Sequence, residues 1–276
     1  MRSEEIRGKT VLVTGATDGI GKATAHQLAQ LGARVIVHGR SPERLRQTAE
    51  ELRSASGKEV ETLQCDLSSL AQVRAMAGEI RGRFPRLDVL VHNACVFMKS
   101  RTLTVDGLEA TFAVNHLAPF LLTHLVQDLL LKSSPARVVI VSSTTHVHCT
   151  CDFDNLQGEK SYDGRYAYSL SKLGNVLFTV ELADRLKGSG VTANCLHPGV
   201  VGTKLLREGY GSMNAASTER GAETSVFLAS SPDVAGVSGK YFVNKREAEP
   251  STLASDAAVR ARLWRVSREL CGISAA

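Results

Sequence analysis

The sequence predicts one α/β domain: a doubly wound parallel sheet of about seven strands, with helices on both faces. Two observations carry this. Short β-branched apolar runs alternate with longer helical patterns from end to end, the order that βαβ units on a parallel sheet produce. The runs Val11-Leu12-Val13, Val35-Ile36-Val37 and Val138-Val139-Ile140-Val141 show no polar alternation, as strands covered on both faces should. No linker, repeat or low-complexity tract interrupts residues 1–276, so a single domain accounts for that length.

In chain order, strand Thr10–Thr14 runs into a glycine-rich turn and the helix Gly19–Leu31, which Gly32 closes in the position that favours a left-handed residue. Strand Arg34–His38 precedes helix Pro42–Ser54, where Ser41-Pro42-Glu43 supplies a capping hydroxyl, proline at the first helical position and an acid in the first turn; Gly57 follows it. Strand Val60–Gln64, helix Ser68–Arg83 and strand Val89–His92 complete the first half. The second half reads as helix Val105–Lys132, strand Arg137–Ser142, helix Tyr162–Leu186, strand Val191–Leu196, helix Thr218–Ser230, strand Lys240–Val243 and helix Asp256–Leu270. The segment Thr203–Ser217, punctuated by Gly209, Gly211, Ser212 and Ser217, reads as a loop.

Composition excludes several classes. The chain has 33 Lys+Arg against 28 Asp+Glu, a net charge of +5, but these charges are interspersed and only 5% of residues are aromatic. No basic stripe with stacking residues is present, so nucleic acid is not an expected partner. The most apolar long window, Leu117 to Leu131, contains His124, Gln127 and Asp128 and does not read as a membrane span. The charged start lacks the apolar core of a signal peptide. Six cysteines without such a signal suggest reduced thiols. A soluble cytoplasmic domain without a membrane anchor is the expectation.

After the first strand comes Thr14-Gly15-Ala16-Thr17-Asp18-Gly19-Ile20-Gly21. Gly15, Gly19 and Gly21 allow a tight turn and close backbone approach, and the helix that follows offers unpaired N–H groups to a diphosphate. The spacing, G-x-x-x-G-x-G, differs from the general G-x-G-x-x-G fingerprint. The second strand ends His38-Gly39-Arg40 with no acid before Ser41. An acid there would suit the ribose hydroxyl of NAD, whereas an arginine suits the 2′-phosphate of NADP. Arg40 therefore reads as a phosphate ligand and NADP(H) as the preferred cofactor, with NAD(H) possible; a solvated surface arginine is the alternative.

Tyr168-Ser169-Leu170-Ser171-Lys172 sets a phenol and an ammonium one turn apart on a single helix face. A free tyrosine titrates near pH 10, too high for efficient proton transfer near neutrality, and an adjacent ammonium favours the phenolate. Ser142-Ser143 closes the fifth strand, at the carboxyl edge where open α/β sheets bind ligands. Asn115 is a polar amide among apolar helix neighbours.

Together with Asn93-Ala94, Ser143 and Pro198-Gly199, these motifs resemble the short-chain dehydrogenase/reductase family, and the resemblance spans nearly the whole chain. The segments Val114-Asn115-His116-Leu117, Val141-Ser142-Ser143 and His197-Pro198-Gly199-Val200-Val201 look most like its retinol-dehydrogenase-like branch. The resemblance implies a Rossmann fold and an oxidoreductase that transfers a hydride between NADP(H) and an alcohol or carbonyl of a bulky apolar substrate. Tyr168 would be the general acid/base and Ser143 would hydrogen-bond the reacting oxygen. Lys172 would assist Tyr168 and hold the nicotinamide ribose, and Asn115 would hold a water linking Lys172 to solvent. Gly15, Thr17, Asp18, Gly19, Ile20, Gly21, Arg40, Asn93 and Ala94 would cradle the dinucleotide. Asp66 and Leu67 would lie at the adenine, and Pro198, Val200 and Thr203 at the nicotinamide. Thr203–Ser217 would be a substrate lid, with Leu205, Leu206, Tyr210 and Met213 as its apolar ceiling.

The chain departs from the family's Asn-Asn-Ala-Gly at His92-Asn93-Ala94-Cys95. Cys95 adds a side chain where the backbone should approach the adenosine ribose, and reads as a reactive thiol or a small buried hydrophobe. This departure lends some support to a second reading, a nucleotide-binding scaffold or regulator with little turnover. His146, His148, Cys149 and Cys151 cluster in sequence, but paired zinc ligands normally stand further apart, and no metal is expected. Helix Tyr162–Leu186 is apolar on nearly all faces. One side can cover the sheet and the other needs a partner, which suggests a homodimer through this helix and Val105–Lys132.

Overall fold

The period of two along a strand sends neighbouring side chains to opposite faces, and the two faces feed separate apolar layers. Leu12, Ile36, Leu90, Val138 and Ile140 enter one layer; Val11, Val13, Val35, Val37, Val89 and Val139 enter the other. The computed structural model describes residues 6–211 and 214–274. Its strands are β1 (Thr10–Val13), β2 (Arg34–Gly39), β3 (Glu61–Gln64), β4 (Val89–His92), β5 (Ala136–Val141), β6 (Val191–His197), β7 (Tyr241–Val243) and β8 (Arg246–Ala248). They form one sheet in the order β3-β2-β1-β4-β5-β6-β7-β8, parallel except for the last pair. The reversal of direction from β1 lies between β1 and β4, and this opens a crevice at the carboxyl edge.

Helices α1 (Gly19–Gln30) and α2 (Pro42–Ser56) cover one face. The opposite face takes α3 (Leu70–Arg83) and a broken segment comprising α4 (Ala110–Phe112), a π-helical turn (Ala113–Leu117), α5 (Ala118–Leu125) and α6 (Gln127–Lys132). It also takes α7 (Gly164–Arg185). Then follow α8 (Lys204–Tyr210), α9 (Thr218–Ser230) on the α1 side and α10 (Ala257–Leu270) outside α7. Ser41 caps α2 and Gly57 closes it at φ +67°, as the sequence indicates.

Three expectations are corrected. The sheet has eight strands rather than seven, because Asn244 and Lys245 (φ 50° and 63°) turn β7 into the antiparallel β8; two left-handed residues make a turn that matches strand twist. The continuous helix expected over Val105–Lys132 begins only at Ala110 and is broken by the π-helical turn and at Val126. The outer face of α7, assigned to a second copy, is covered in cis by α10. Trp264 packs against Phe120 and Phe178 with ring centroids 4.9 and 5.9 Å apart, and Arg185 lies 4.3 Å over its ring. Arg260 pairs with Asp184 at 3.0 Å. That face therefore no longer requires a dimer. Among the described residues no helix is long and apolar enough to cross a membrane.

Candidate active site

The strand order delivers the sequence-predicted residues to one edge. Asp66 and Leu67 follow β3, Arg40 follows β2, the glycine turn follows β1, Asn93 and Ala94 follow β4, Ser143 follows β5, and Pro198, Val200 and Thr203 follow β6. Separate stretches of sequence thus line the carboxyl ends of six adjacent strands.

The glycine turn is fitted to its neighbours. Gly15 sits at φ +63°, and a Cβ there would lie 2.8 Å from Ala94 Cα; a Cβ on Gly21 would overlap the Gly15 carbonyl and the Asn93 amide. The Thr14 hydroxyl accepts from the backbone N–H groups of Asn93 and Ala94 at 3.0 and 3.1 Å, and Asn93 Nδ2 donates to the Thr14 carbonyl at 2.9 Å. Asp18 caps α1 by accepting the Gly19 N–H at 2.8 Å and pairs with Arg44 at 3.0 Å. Ile20 follows in the first turn, and Thr203 Cγ2 would be 3.4 Å from a Cβ on Gly19, so the segment after β6 closes over the turn. Thr17 lies against Gly39, where a Cβ would meet its methyl at 2.6 Å. Arg40 is exposed beside this turn. Asp66 accepts from the Ser68 N–H and hydroxyl at 3.0 and 2.8 Å, and Leu67 is buried.

On α7, Lys172 is 1% and Tyr168 8% exposed, with the ammonium 5.4 Å from the phenol ring centroid. Lys172 Nζ donates to the Val141 carbonyl at 3.1 Å, so the sheet anchors a buried charge. Ser142 spends its hydroxyl on the Lys172 carbonyl at 2.8 Å, whereas Ser143 Oγ accepts the Thr145 N–H at 3.3 Å and keeps its own O–H to donate. Asn115 sits in the π-helical turn. Its Oδ1 accepts from the Val96 N–H at 2.8 Å, and Nδ2 donates to the Val96 carbonyl and Ser171 Oγ at 2.9 and 3.0 Å. Both amide hydrogens are therefore used in pinning the loop after β4 to α7.

Several participants have no local sequence signal. His38 accepts the Gly15 N–H through Nδ1 and donates from Nε2 to the Cys65 carbonyl, both at 3.1 Å. His146 hydrogen-bonds the Ser143 carbonyl through Nδ1 and accepts the Ser251 N–H through Nε2 at 3.1 Å, fixing the turn that carries Ser143. His197 accepts the Thr144 N–H at 3.4 Å, and burial, with His146 and Lys172 nearby, pushes it down to about 4. Phe97 packs beside Tyr168 with centroids 5.9 Å apart, and a Cβ on Gly209 would lie 3.2 Å from its ring. The expected lid is thus partly helical: Thr203 caps α8 through the Leu206 N–H at 3.3 Å. Leu205 and Leu206 lie on it half-buried; Met213 and the side chain of Tyr210 lie outside the described residues.

Cys95 is half-buried with its thiol 3.7 Å from the Val96 carbonyl. Burial pushes Cys149 up to about 11 and Cys151 up to about 12, so neither forms a ready thiolate. Among the described residues, no three His, Cys, Asp or Glu side chains gather as a metal site.

A dinucleotide fits this edge. The turn is a cradle that side chains at 15 or 21 would fill, and the buried Lys172 ammonium donates to the Val141 carbonyl with further donors left for a ribose.

The family model described as short chain dehydrogenase matches residues 9–211. The chain is 44% identical to retinol dehydrogenase 14 of Mus musculus over 97% of its own length and 87% of the relative's. It is 42% identical to retinol dehydrogenase 13 of the same organism over 98% and 86%. Among solved structures, an uncharacterised protein from Mycobacterium paratuberculosis superposes with a TM-score of 0.80 at 31% identity, over 99% of this chain and 97% of that one. A short chain dehydrogenase from Escherichia coli CFT073 complexed with NADPH superposes with a TM-score of 0.75 at 26% identity, over 89% and 100%.

Proposed function

The chain belongs to the short chain dehydrogenase family, in its retinol-dehydrogenase-like branch, and from that premise we propose that it is an NADP(H)-dependent alcohol dehydrogenase or carbonyl reductase acting on a bulky apolar substrate. The observation that carries this is the buried Lys172–Tyr168 pair, tied through the Val141 carbonyl and the Ser142 hydroxyl to the strand end that carries Ser143, at the same sheet edge as the glycine cradle.

When bound, the cofactor supplies the hydride that the carbonyl carbon accepts. Tyr168 gives its phenolic proton to the carbonyl oxygen in reduction and takes it back in oxidation. Ser143 donates its remaining O–H to the same oxygen and stabilises the charge that develops there. The Val141 carbonyl keeps the Lys172 ammonium in place near the phenol, and its other donors would hold the ribose. Asn115 fixes the loop after β4 on α7. Arg40 would pair with the 2′-phosphate, and Asp66, Leu67, Pro198, Val200 and Thr203 would border the remaining dinucleotide.

Helix α8, seated on Phe97, would close the substrate side. This apolar ceiling and the retinol dehydrogenase relatives support an apolar alcohol or aldehyde as substrate. A cytoplasmic setting belongs to the same proposal, on six cysteines that are all unpaired. A panel of apolar aldehydes and ketones, followed by loss of NADPH absorbance, tests the function: turnover supports it, and NADPH binding without turnover of any of them favours a scaffold.

A further inference from the structure

His116 lies one residue beyond Asn115, wholly buried in the π-helical turn between the rings of Phe112, Phe120 and Phe178. A polar ring at the centre of an aromatic cluster needs hydrogen-bond partners, and its partners form a line across the molecule. On the outer side, His116 Nε2 is 2.8 Å from Ser267 Oγ on α10. On the inner side, His116 Nδ1 and Asn175 Oδ1 are both buried and neither makes a hydrogen bond; burial pushes the ring down to about 4, and the Asn175 amide is near enough to oppose that fall. Asn175 Nδ2 then donates to the Val141 carbonyl at 3.3 Å, the same oxygen that accepts from Lys172 Nζ. Gly174 makes room for this arrangement, since a Cβ there would lie 2.9 Å from His116 Nδ1.

We propose that His116 is a positioning residue that links the docking of α10, through Ser267, to the Lys172 ammonium, through Asn175 and the Val141 carbonyl. With the Ser267 hydroxyl donating to Nε2, the ring proton stands on Nδ1, from which it would close onto the unsatisfied Asn175 Oδ1. This orients the amide so that Nδ2 faces Val141 and holds the carbonyl at the height Lys172 needs. The link rests on the hydride-transfer reading, because Lys172 is placed for a nicotinamide ribose.

Three substitutions separate positioning from packing. Asparagine at 116 sets an amide N–H near the position of Nδ1, glutamine reaches only toward Ser267, and Ser267→Ala cuts the outer bond. NADPH affinity by titration calorimetry, kcat and Tm are read for each. His116→Gln is expected to weaken NADPH binding and lower kcat by about three- to tenfold, His116→Asn to restore most of both at the same Tm, and Ser267→Ala to fall between. Equal affinity in the asparagine and glutamine variants overturns the proposal, as does a loss that follows Tm alone. Wild-type protein that binds NADPH without turning over a carbonyl sinks the functional reading only, and the affinities still judge the link. Wild-type protein that binds no NADPH overturns both.

Discussion

His38 accepts the Gly15 N–H at 3.1 Å, and its other ring nitrogen donates to the Cys65 carbonyl at the same distance. One buried imidazole thus straps the dinucleotide turn to the ends of β2 and β3. The first bond requires an unprotonated Nδ1, and burial pushes His38 down to about 4, so the strap is intact near neutral pH.

Burial also holds His92 at about 3 and His116 and His197 at about 4. Unfolded histidines titrate near 6.5. Between that value and the folded ones the unfolded chain binds more protons, so this stability is full above about pH 6.5 and falls as pH drops toward 4. Each histidine contributes a slope of about 1.4 kcal/mol per pH unit inside its window. Thermal unfolding from pH 7 to 4.5 should show a steadily falling Tm, and a flat profile would refute the neutral burial of these rings.

Arg40 is exposed beside the turn, free of the acid that an NAD-selective strand end carries. Arg40→Asp should cut kcat/KM for NADPH by about ten- to a hundredfold, the scale of one lost charge-assisted contact, and leave NADH within about threefold. A wild type that prefers NADH would contradict the assignment.

Close backbone approach occurs between Gly15 and Ala94, where a Cβ would sit 2.8 Å from the Ala94 backbone, and the half-buried Cys95 thiol lies by the Val96 carbonyl instead. Cys95→Gly should leave the NADPH dissociation constant within about twofold, below the scale of one net hydrogen bond. A large gain in affinity would show that the cysteine intrudes on the adenosine ribose.

Gly209 permits α8 to seat on Phe97 beside Tyr168. Gly209→Val should displace the ring or the helix and lower kcat/KM for bulky apolar aldehydes by about tenfold, while changing a small aldehyde by less than about threefold, within the discrimination a few carbons in an apolar pocket provide. Equal losses on both would place the effect outside substrate closure.

The glycine turn, the Tyr168–Lys172 pair and most strands were legible because each is a local pattern: a strand–turn–helix, a spacing of four, an unbroken apolar run. What the sequence hid is held by distant partners. The hydrogen bonds of His38, His146 and His116 reach across 23, 105 and 151 residues, and no periodicity reports them. Helix α8 looked like a loop because of its glycines, although Thr203 and the Lys204–Glu208 pair one turn apart were there to mark it. Strand β8 is three residues long and its turn pairs asparagine with lysine instead of glycine. Periodicity revealed that α7 needs cover on two sides, but not that α10 of the same chain supplies the second.

The most direct measurement compares wild type with Tyr168→Phe for NADPH-dependent reduction of an apolar aldehyde, alongside NADPH binding. Removing the one hydroxyl should lower kcat by at least about a hundredfold, the usual contribution of a positioned general acid, with NADPH affinity within about threefold. Turnover that survives in the phenylalanine variant would contradict proton transfer by Tyr168, and with it the assignment of the site.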